Sequence, residues 1–162
     1  MREFVVRLCF LKHCLGHVRR DYFSRGKRQT CFLMPRNHTG RVVFQPTWWQ
    51  SILRRAAEVL CRHQAAVRQI RFGLELEGDP REIPAHFYRH YHDEKRFSKY
   101  EAFYPGDIVS LSCLAPAGID QDALRELLEI AGKYFGISPG RPNEYGHFEV
   151  VAIAAKKQDA TP

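Results

Sequence analysis

The residues best suited to chemistry in this sequence are cationic side chains crowded into its first quarter. Residues 1–45 hold ten Lys and Arg against two acids, a net charge of +8, whereas residues 46–162 hold fifteen against sixteen, a net charge of −1. Arginine suits bidentate contacts with phosphate, and Tyr22 and Phe23 offer faces on which bases stack. The segment therefore favours binding of a single-stranded nucleic acid, with a mobile, solvated basic loop as the alternative that the residues leave open. Its candidate contacts are Arg19, Arg20, Arg25, Lys27, Arg28, Arg36, Asn37 and His38.

A second candidate segment, polar and rich in aromatic residues, spans residues 78–107. It has no convincing period and is interpreted as an elaborated, functional connection that contributes Arg96, Lys99 and Tyr100 as nucleic-acid contacts. His86 and His90 would share one face of a helix as a metal pair, but no Glu follows the first histidine as a zinc protease needs. Polar loop residues that stack on bases are the favoured interpretation.

Cysteine usage and hydropathy exclude several classes of protein. The five cysteines are scattered without a Cys-x-x-Cys pair, which favours reduced thiols over a disulfide framework. Cys9, Cys14, His17 and Cys31 fit no common zinc spacing, so we expect neither a metal nor a cofactor. Because the sequence contains no apolar run of membrane length and no secretory signal, we expect a cytoplasmic protein with no membrane partner.

The stretch "GISPGRPNEYGHFEVV", residues 136–151, places a loop rich in glycine and proline before an apolar segment. Glycine permits left-handed backbone and close approach, so exposed amide groups beside Arg141 would suit a phosphate. The same composition is also that of an ordinary turn. The residues alone leave both interpretations open.

The elements that must position these residues follow from apolar periodicity. Alternation predicts strands in "REFVVRLCFL", "RQIRFGLELEG", "IVSLSCLAP" and "HFEVVAIAA". Helical spacing predicts helices in "TWWQSILRRAAEVLCRHQ", with a capping box at Thr47 and Gln50, and in "DQDALRELLEIAGKYF", opened by Asp120. "HVRRDYFSRGKRQ" is interpreted as a loop, and "TCFLM" and "RVVFQ" around "PRNHTG" as a short hairpin.

The predicted order of core elements is strand, helix, strand, strand, helix, strand. That order is typical of an α+β, ferredoxin-like fold, which RNA-recognition modules also use. We expect one such domain over residues 1–156, with an N-terminal hairpin and loop elaboration at about 12–46 and a long insertion at 78–107 between the second and third core strands. Residues 157–162 are expected to form a flexible tail.

Three stretches resemble the RAMP superfamily, the RNA-recognition-fold proteins associated with CRISPR effectors. They are the first strand running into a glycine, "RLCFLKHCLG", the helix entered from an extended segment, "VVFQPTWWQSILRRAAEVL", and the terminal "AGKYFGISPGRPNEYGHFEV". The resemblance implies a nucleic-acid-binding subunit of a ribonucleoprotein assembly, either in a CRISPR complex or as a small phage or mobile-element relative. Its partners would be single-stranded RNA, favoured over DNA, and further copies of the chain or other subunits.

The resemblance also implies roles for particular residues. Gly140 and Arg141 would contact the phosphate backbone, Tyr145 or His147 would lie close to a base or sugar, and the insertion at 78–107 would cover the bound strand like a thumb. Two alternatives stay open. One is a metal-independent endoribonuclease that processes guide RNA through His13 and His17. The other is a phage or mobile-element protein that binds another protein.

Overall fold

The computed structural model describes residues 1–77, 86–137 and 145–156. The tail predicted over 157–162 and part of the second insertion lie outside the described residues. In chain order the elements are β1 (Arg2–Phe10), β2 (Cys14–Leu15), β3 (Val18–Ser24), β4 (Lys27–Leu33), α1 (Pro46–Leu60), a 3-10 helix (Ala66–Gln69), β5 (Arg71–Glu77), β6 (His86–Tyr91), β7 (Phe97–Phe103), β8 (Ile108–Ala115), α2 (Gln121–Tyr134) and β9 (Phe148–Ala155).

Four of these strands form an antiparallel sheet around β1. Its strand order is β5-β8-β1-β9, and each neighbouring pair is antiparallel. Alternation along β1 places Phe4, Val6, Leu8 and Phe10 on one buried face, because successive side chains of a strand point to opposite sides. The four strands predicted from alternating apolar residues are the strands of this sheet.

Two helices supply the rest of the core. The apolar stripe of α1 includes Trp49, whose ring stacks on Phe72 of β5 with centroids 4.1 Å apart, and that of α2 includes Leu124, Leu127 and Leu128. Both stripes belong to the same buried cluster as the inner face of β1. The described chain is thus α+β, as expected, with two helices and mostly antiparallel sheets. None of the helices in the described residues has the length and apolarity needed to cross a membrane.

The two helix starts differ in how well the sequence predicted them. Asp120 caps α2, where its carboxylate accepts a hydrogen bond from the Ala123 amide at 2.8 Å. The capping box predicted at Thr47 and Gln50 is wrong. Helix α1 begins at Pro46 after Gln45 and has no side-chain cap, so Thr47 lies inside the first turn and not before it. Proline suits the first helical position because its φ is already helical. The Gln50 amide instead donates to the Ile70 carbonyl at 2.7 Å.

The two predicted insertions come together as a second sheet. Strand β7 pairs with β6 and β2 in antiparallel fashion and with β4 in parallel, and β4 pairs with β3. The loop predicted for "HVRRDYFSRGKRQ" is therefore wrong, since these residues form a β-hairpin. Its two central residues, Arg25 and Gly26, have φ of 52° and 72°, the conformation of a two-residue type I′ turn.

The hairpin predicted between "TCFLM" and "RVVFQ" is also wrong. Residues 30–33 pair with β3 instead. The turn that follows is closed by an isolated bridge between Arg36 and Val42 and by a backbone hydrogen bond from the Val43 amide to the Pro35 carbonyl at 2.9 Å. The Asn37 side chain organises this turn, because its Oδ1 accepts hydrogen bonds from the Thr39 and Arg41 amides at 3.0 Å.

Candidate nucleic-acid interface

A cleft separates the β3–β4 hairpin from the β6–β7 hairpin. Strands β4 and β7 run parallel and share only two register pairs, Cys31 with Lys99 and Phe32 with Tyr100. Toward their amino-terminal ends the strands separate, and the space between them measures about 910 Å³. This space, called the inter-hairpin cleft below, is lined by Tyr22, Ser24, Arg25, Arg28, Gln29, Thr30, Phe32, Arg89, Lys95, Arg96, Phe97, Ser98 and Lys99.

The lining of the inter-hairpin cleft is strongly cationic. It contains six Lys or Arg side chains and no carboxylate. The cations come from both predicted candidate segments, with Arg25 and Arg28 from the first and Arg96 and Lys99 from the second. The two segments are far apart in the sequence, and the pairing of β4 with β7 joins them in one site. Clustered positive charge of this kind attracts a polyanion. The cluster exists because the fold brings the two segments together.

Two aspartates just outside the cleft neutralise part of this charge. Asp21 forms ion pairs with Arg28 and, at 3.3 Å, with Arg19, and it accepts a hydrogen bond from the Thr30 hydroxyl at 2.7 Å. The Thr30 bond and the Arg28 bond lower the pKa of Asp21 to about 2. Asp93 accepts from the Lys95 amide and pairs with Arg96 at 2.6 Å, and these bonds lower its pKa as well.

The remaining cations of the cleft are not neutralised in this way. Within the described parts of the chain, Arg25, Arg89, Lys95 and Lys99 have no carboxylate within 4.0 Å. The Arg89 guanidinium lies 4.9 Å from the centre of the Phe97 ring, and the Lys99 ammonium 5.1 Å from that of Phe87. These four cations are therefore not neutralised by an ion pair within the described residues, although Arg89 and Lys99 contact aromatic rings. Arg20 and Lys27, also predicted contacts, are exposed on the flanking hairpin.

Aromatic rings close the base of the cleft where β4 and β7 meet. Phe32 and Tyr100 stack with centroids 4.8 Å apart and planes 16° from parallel, which fixes Tyr100 as part of the joint between the two hairpins. Tyr22, Phe32 and Phe97 are the aromatic members of the cleft lining. Cations interleaved with aromatic rings are the combination that proteins use for single-stranded nucleic acids.

Glu101 clamps the same joint from the other side. This buried carboxylate, 5% exposed, accepts a hydrogen bond from the Met34 amide at 2.6 Å and forms a two-pronged ion pair with the Arg36 guanidinium. The pair raises the pKa of Arg36. Arg36 is therefore bonded to the protein, whereas the neighbouring turn residue His38 is exposed.

The predicted contacts of the C-terminal loop lie partly outside the described residues, namely Gly140 and Arg141. Tyr145 and His147 are described, and both are buried. The Tyr145 hydroxyl bonds to Nδ1 of His90, and Nδ1 of His147 donates to the Lys133 carbonyl at 2.8 Å, at the end of α2. Their burial and bonds favour a packing role over direct contact with a ligand.

The two histidines considered for catalysis have different surroundings. His13 contacts Tyr88 in a tilted arrangement and Tyr104 edge-on, with centroids 4.2 and 4.7 Å apart, whereas His17 meets Trp48 of α1 edge-on at 5.0 Å. Partial burial lowers the pKa of each imidazole. These ring contacts do not join His13 and His17 to each other as a hydrogen-bonded acid–base pair.

The metal sites considered from the sequence are not assembled in the described residues, which contain no group of three or more His, Cys, Asp or Glu able to hold an ion. Cys14 is buried, and its thiol donates to the Ile137 carbonyl at 3.3 Å. Burial raises the pKa of Cys14, which disfavours the thiolate that a metal would need.

Comparison with known proteins finds similarity in fold but not in sequence. No family model matches the chain, and no curated protein sequence is significantly similar to it. Among solved structures it is similar to a chain of a "Type IV-B CRISPR Complex", with a TM-score of 0.50 and 8% sequence identity. The match covers 99% of this chain and 92% of that chain. At this identity the likeness concerns the fold alone.

Several members of the cleft were missed as site residues by sequence analysis. Lys95, Arg89, Phe32 and Phe97 belong to the lining, but none was assigned a contact. The available signal was period-2 spacing in "HFYRHY" and "FSKYEAF". It was hidden because polar and aromatic residues occupy both faces of these strands, so the usual contrast between apolar and polar positions is lost.

Proposed function

We propose that this protein binds single-stranded nucleic acid, with RNA favoured, in the inter-hairpin cleft, and that it does so as a subunit of a CRISPR-type ribonucleoprotein assembly. The observation that carries the proposal is the lining of the cleft, which combines six cations with three aromatic rings and no carboxylate. Arg25, Lys95 and Lys99 contact phosphates, and the rings of Tyr22 and Phe97 receive bases.

The preference for a single strand follows from the aromatic lining. A base presents its face to a protein ring only when it is unstacked, and unpaired nucleotides offer such faces without the energy needed to open a duplex. The cleft is also bounded by two β-hairpins rather than by a helix that would enter the major groove. A duplex would contact the cations only at the rim.

The assembly role rests on fold and sequence resemblance together. The order β9-β1-β8-β5, with a helix after β1 and another after β8, is consistent with a ferredoxin-like unit, which we propose carries the second sheet as an elaboration. The likeness to a chain of a "Type IV-B CRISPR Complex" and the resemblance of three sequence stretches to the RAMP superfamily both favour a place in such a complex. Further copies or other subunits would be its protein partners, and the cytoplasm its location.

Outside the cleft, the remaining predicted contacts continue the proposed path of the strand. Arg19, Arg20 and Lys27 extend it along the β3–β4 hairpin, and Gly140 and Arg141 of the C-terminal loop remain predicted phosphate contacts. Asn37 and His38 lie at the turn beside the Glu101 clamp.

A salt-dependent binding assay tests the nucleic-acid proposal. Fluorescence anisotropy is measured with an unstructured labelled RNA, the matching single-stranded DNA and the matching duplex, between about 50 and 200 mM salt. Each phosphate contact contributes about 0.7 to the slope of log affinity against log salt, so the Arg25→Ala and Lys95→Ala double variant should lose about 1.4 of slope.

The matched control removes two arginines elsewhere, Arg2 and Arg68. Both are exposed, and neither has a carboxylate within 4.0 Å in the described residues. The Arg2→Ala and Arg68→Ala double variant carries the same change in net charge and should keep the wild-type slope. An equal loss in both variants, or equal affinity for the duplex, would refute the cleft as the binding site.

Assembly is tested separately by native mass spectrometry on RNA of increasing length. Regular addition of one copy per added length supports side-by-side binding of this chain. A single copy at every length overturns homo-oligomerisation and directs the search to other subunits.

A further inference from the structure

Exposed aromatic rings are concentrated on one face of the β6–β7 hairpin. In β6 and β7 the residues Phe87, Arg89, Tyr91, Phe97 and Lys99 alternate onto the same side, as the pairing of Arg89 with Lys99 and of Tyr91 with Phe97 requires. The exposed fractions of Phe87, Tyr91 and Phe97 are 50%, 57% and 42%. Single exposed aromatic residues need no explanation, but three on one short hairpin face form a patch that marks a binding surface.

Cations lie between these rings rather than around them. Along the hairpin the order is Phe87, then the paired Arg89 and Lys99, then the paired Tyr91 and Phe97. At about 3.4 Å per residue, the two aromatic rows stand roughly 14 Å apart with the cationic row midway. Arg89 and Lys99 now rest over the rings of Phe97 and Phe87, and each is long and flexible enough to give way to a base and reach a neighbouring phosphate.

This face is continuous with the inter-hairpin cleft. A shallow depression of about 420 Å³ adjoins the cleft and shares Tyr22 and Lys99 with it. Its remaining lining residues are Arg20, Cys31, Leu33 and Phe87. A strand that leaves the cleft past Lys99 therefore meets Phe87 next. Glu101, which is paired with Phe87 on the same face, is buried, and its carboxylate is bonded to Arg36.

The open face of the four-stranded sheet lacks comparable rings. RNA-recognition modules stack bases on aromatic residues of such a sheet. Here the outward positions of β1, β8 and β9 within the described chain are small, aliphatic or charged, as the register with β1 shows for Ser110, Ser112, Ala152 and Ala154. The aromatic surface of this protein lies on the second sheet instead.

We propose that the outer face of the β6–β7 hairpin is a base-stacking platform for single-stranded nucleic acid. Phe87 receives one base, Phe97 with Tyr91 receives another further along the strand, and Arg89 and Lys99 bind phosphates of the backbone between them. The platform rests on the proposed nucleic-acid function and extends it from the cleft onto the sheet face. Because ring faces accept any base, the platform binds without sequence preference.

The test uses single-stranded RNA that carries the fluorescent base 2-aminopurine at successive positions. Wild-type protein should quench the fluorescence at two separated positions, because stacking on an aromatic ring quenches this base. The Phe87→Leu and Phe97→Leu double variant keeps apolar side chains but removes both rings. It should lose the quenching, and affinity should fall at least about fivefold for each ring, the lower end of base–aromatic stacking.

The single variant Phe87→Leu separates this outcome from failure of the cleft, because Phe97 also lines the cleft whereas Phe87 does not. No charge is removed, so the slope of log affinity against log salt should stay at the wild-type value. The control is Tyr134→Leu, an exposed aromatic residue at the end of α2, which should change neither quenching nor affinity. Wild-type protein bound to RNA with abasic sites at the two quenched positions should reproduce the loss of affinity without any substitution.

The outcomes distinguish the two proposals. Binding that depends on Arg25 and Lys95, with quenching unchanged in the Phe87 and Phe97 variant, overturns the platform and leaves the nucleic-acid function intact. Absence of binding to any single strand overturns both. An equal affinity loss in the Tyr134 control also overturns the platform.

Discussion

Replacing Arg36 by methionine leaves the buried carboxylate of Glu101 with one remaining protein donor in the described chain, the Met34 amide. Removing one partner of a buried ion pair costs about 3–5 kcal/mol, because the other charge stays buried and unpaired. The Arg36 side chain is 35% exposed, so water relieves part of this cost and we expect a loss of about 2–3 kcal/mol in the free energy of unfolding. For a chain of this size the melting temperature should fall by roughly 4–12 °C.

A double-mutant cycle measures the pair itself. Urea and thermal unfolding are followed for Arg36→Met, Glu101→Leu and the double variant. Because two apolar side chains replace a buried ion pair with little net cost, the double variant should be more stable than the sum of the single losses predicts. The matched control is Arg54→Met. Arg54 pairs with Glu58 at 3.9 Å and both side chains are exposed, so this substitution should lower the free energy of unfolding by no more than about 0.5 kcal/mol.

The same variant separates a clamp from a phosphate contact. If Arg36 only holds the joint between β4 and β7, Arg36→Met should weaken RNA binding without changing its salt slope. If Arg36 contacts phosphate, as the sequence predicted, the slope should fall by about 0.7. An unfolding cost equal to that of Arg54→Met, together with additive effects in the cycle, would refute the clamp.

Two further substitutions test the neighbouring assignments. The Thr30 and Arg28 bonds lower the pKa of Asp21 from 3.8 to about 2. The ionised carboxylate therefore stabilises the fold above about pH 4, and this contribution is lost as the pH falls through 2. An NMR titration of the Asp21 carboxyl measures the shift. Asp21→Asn removes a charge that neutralises Arg19 and Arg28, and RNA should bind more tightly with a steeper salt slope; unchanged binding would contradict a ligand path along this hairpin. Tyr145→Phe removes the hydroxyl bonded to His90 and should cost about 1 kcal/mol of stability without changing RNA affinity, whereas a selective loss of affinity would restore the predicted contact with a base or sugar.

Strands β1 and β8 and helix α2 were predictable because one face of each is buried. In β1, for example, Val6 and Leu8 are fully buried while Arg7 between them is exposed, so the contrast appears directly in the sequence. The start of α2 was predictable for a different local reason, the preference of Asp120 for the position that caps a helix. Burial of a single face produces a periodic pattern of apolar residues, and this pattern can be recognised without knowing which distant residues the element contacts.

The second sheet was not predictable by that argument. Its hairpins carry polar and aromatic residues on both faces, and their strands are held by pairing with segments distant in the chain. The turn of the first hairpin also gave a weak signal, because Arg25 adopts a positive φ that glycine or asparagine more often supplies. Pairing partners, rather than local periodicity, decide these strands.

The amino-acid sequence shows that positive charge gathers in the first quarter of the chain and that cations and aromatic rings alternate in two separate segments. Which of these cations lie close enough to act together depends on the fold. Arg25 and Lys95 reach one cleft because β4 pairs with β7, whereas Arg36, identical to Arg25 in its side chain, is bonded to Glu101. The difference arises because the interaction energy of a charge depends on its distance from other charges and on its burial, and folding sets both.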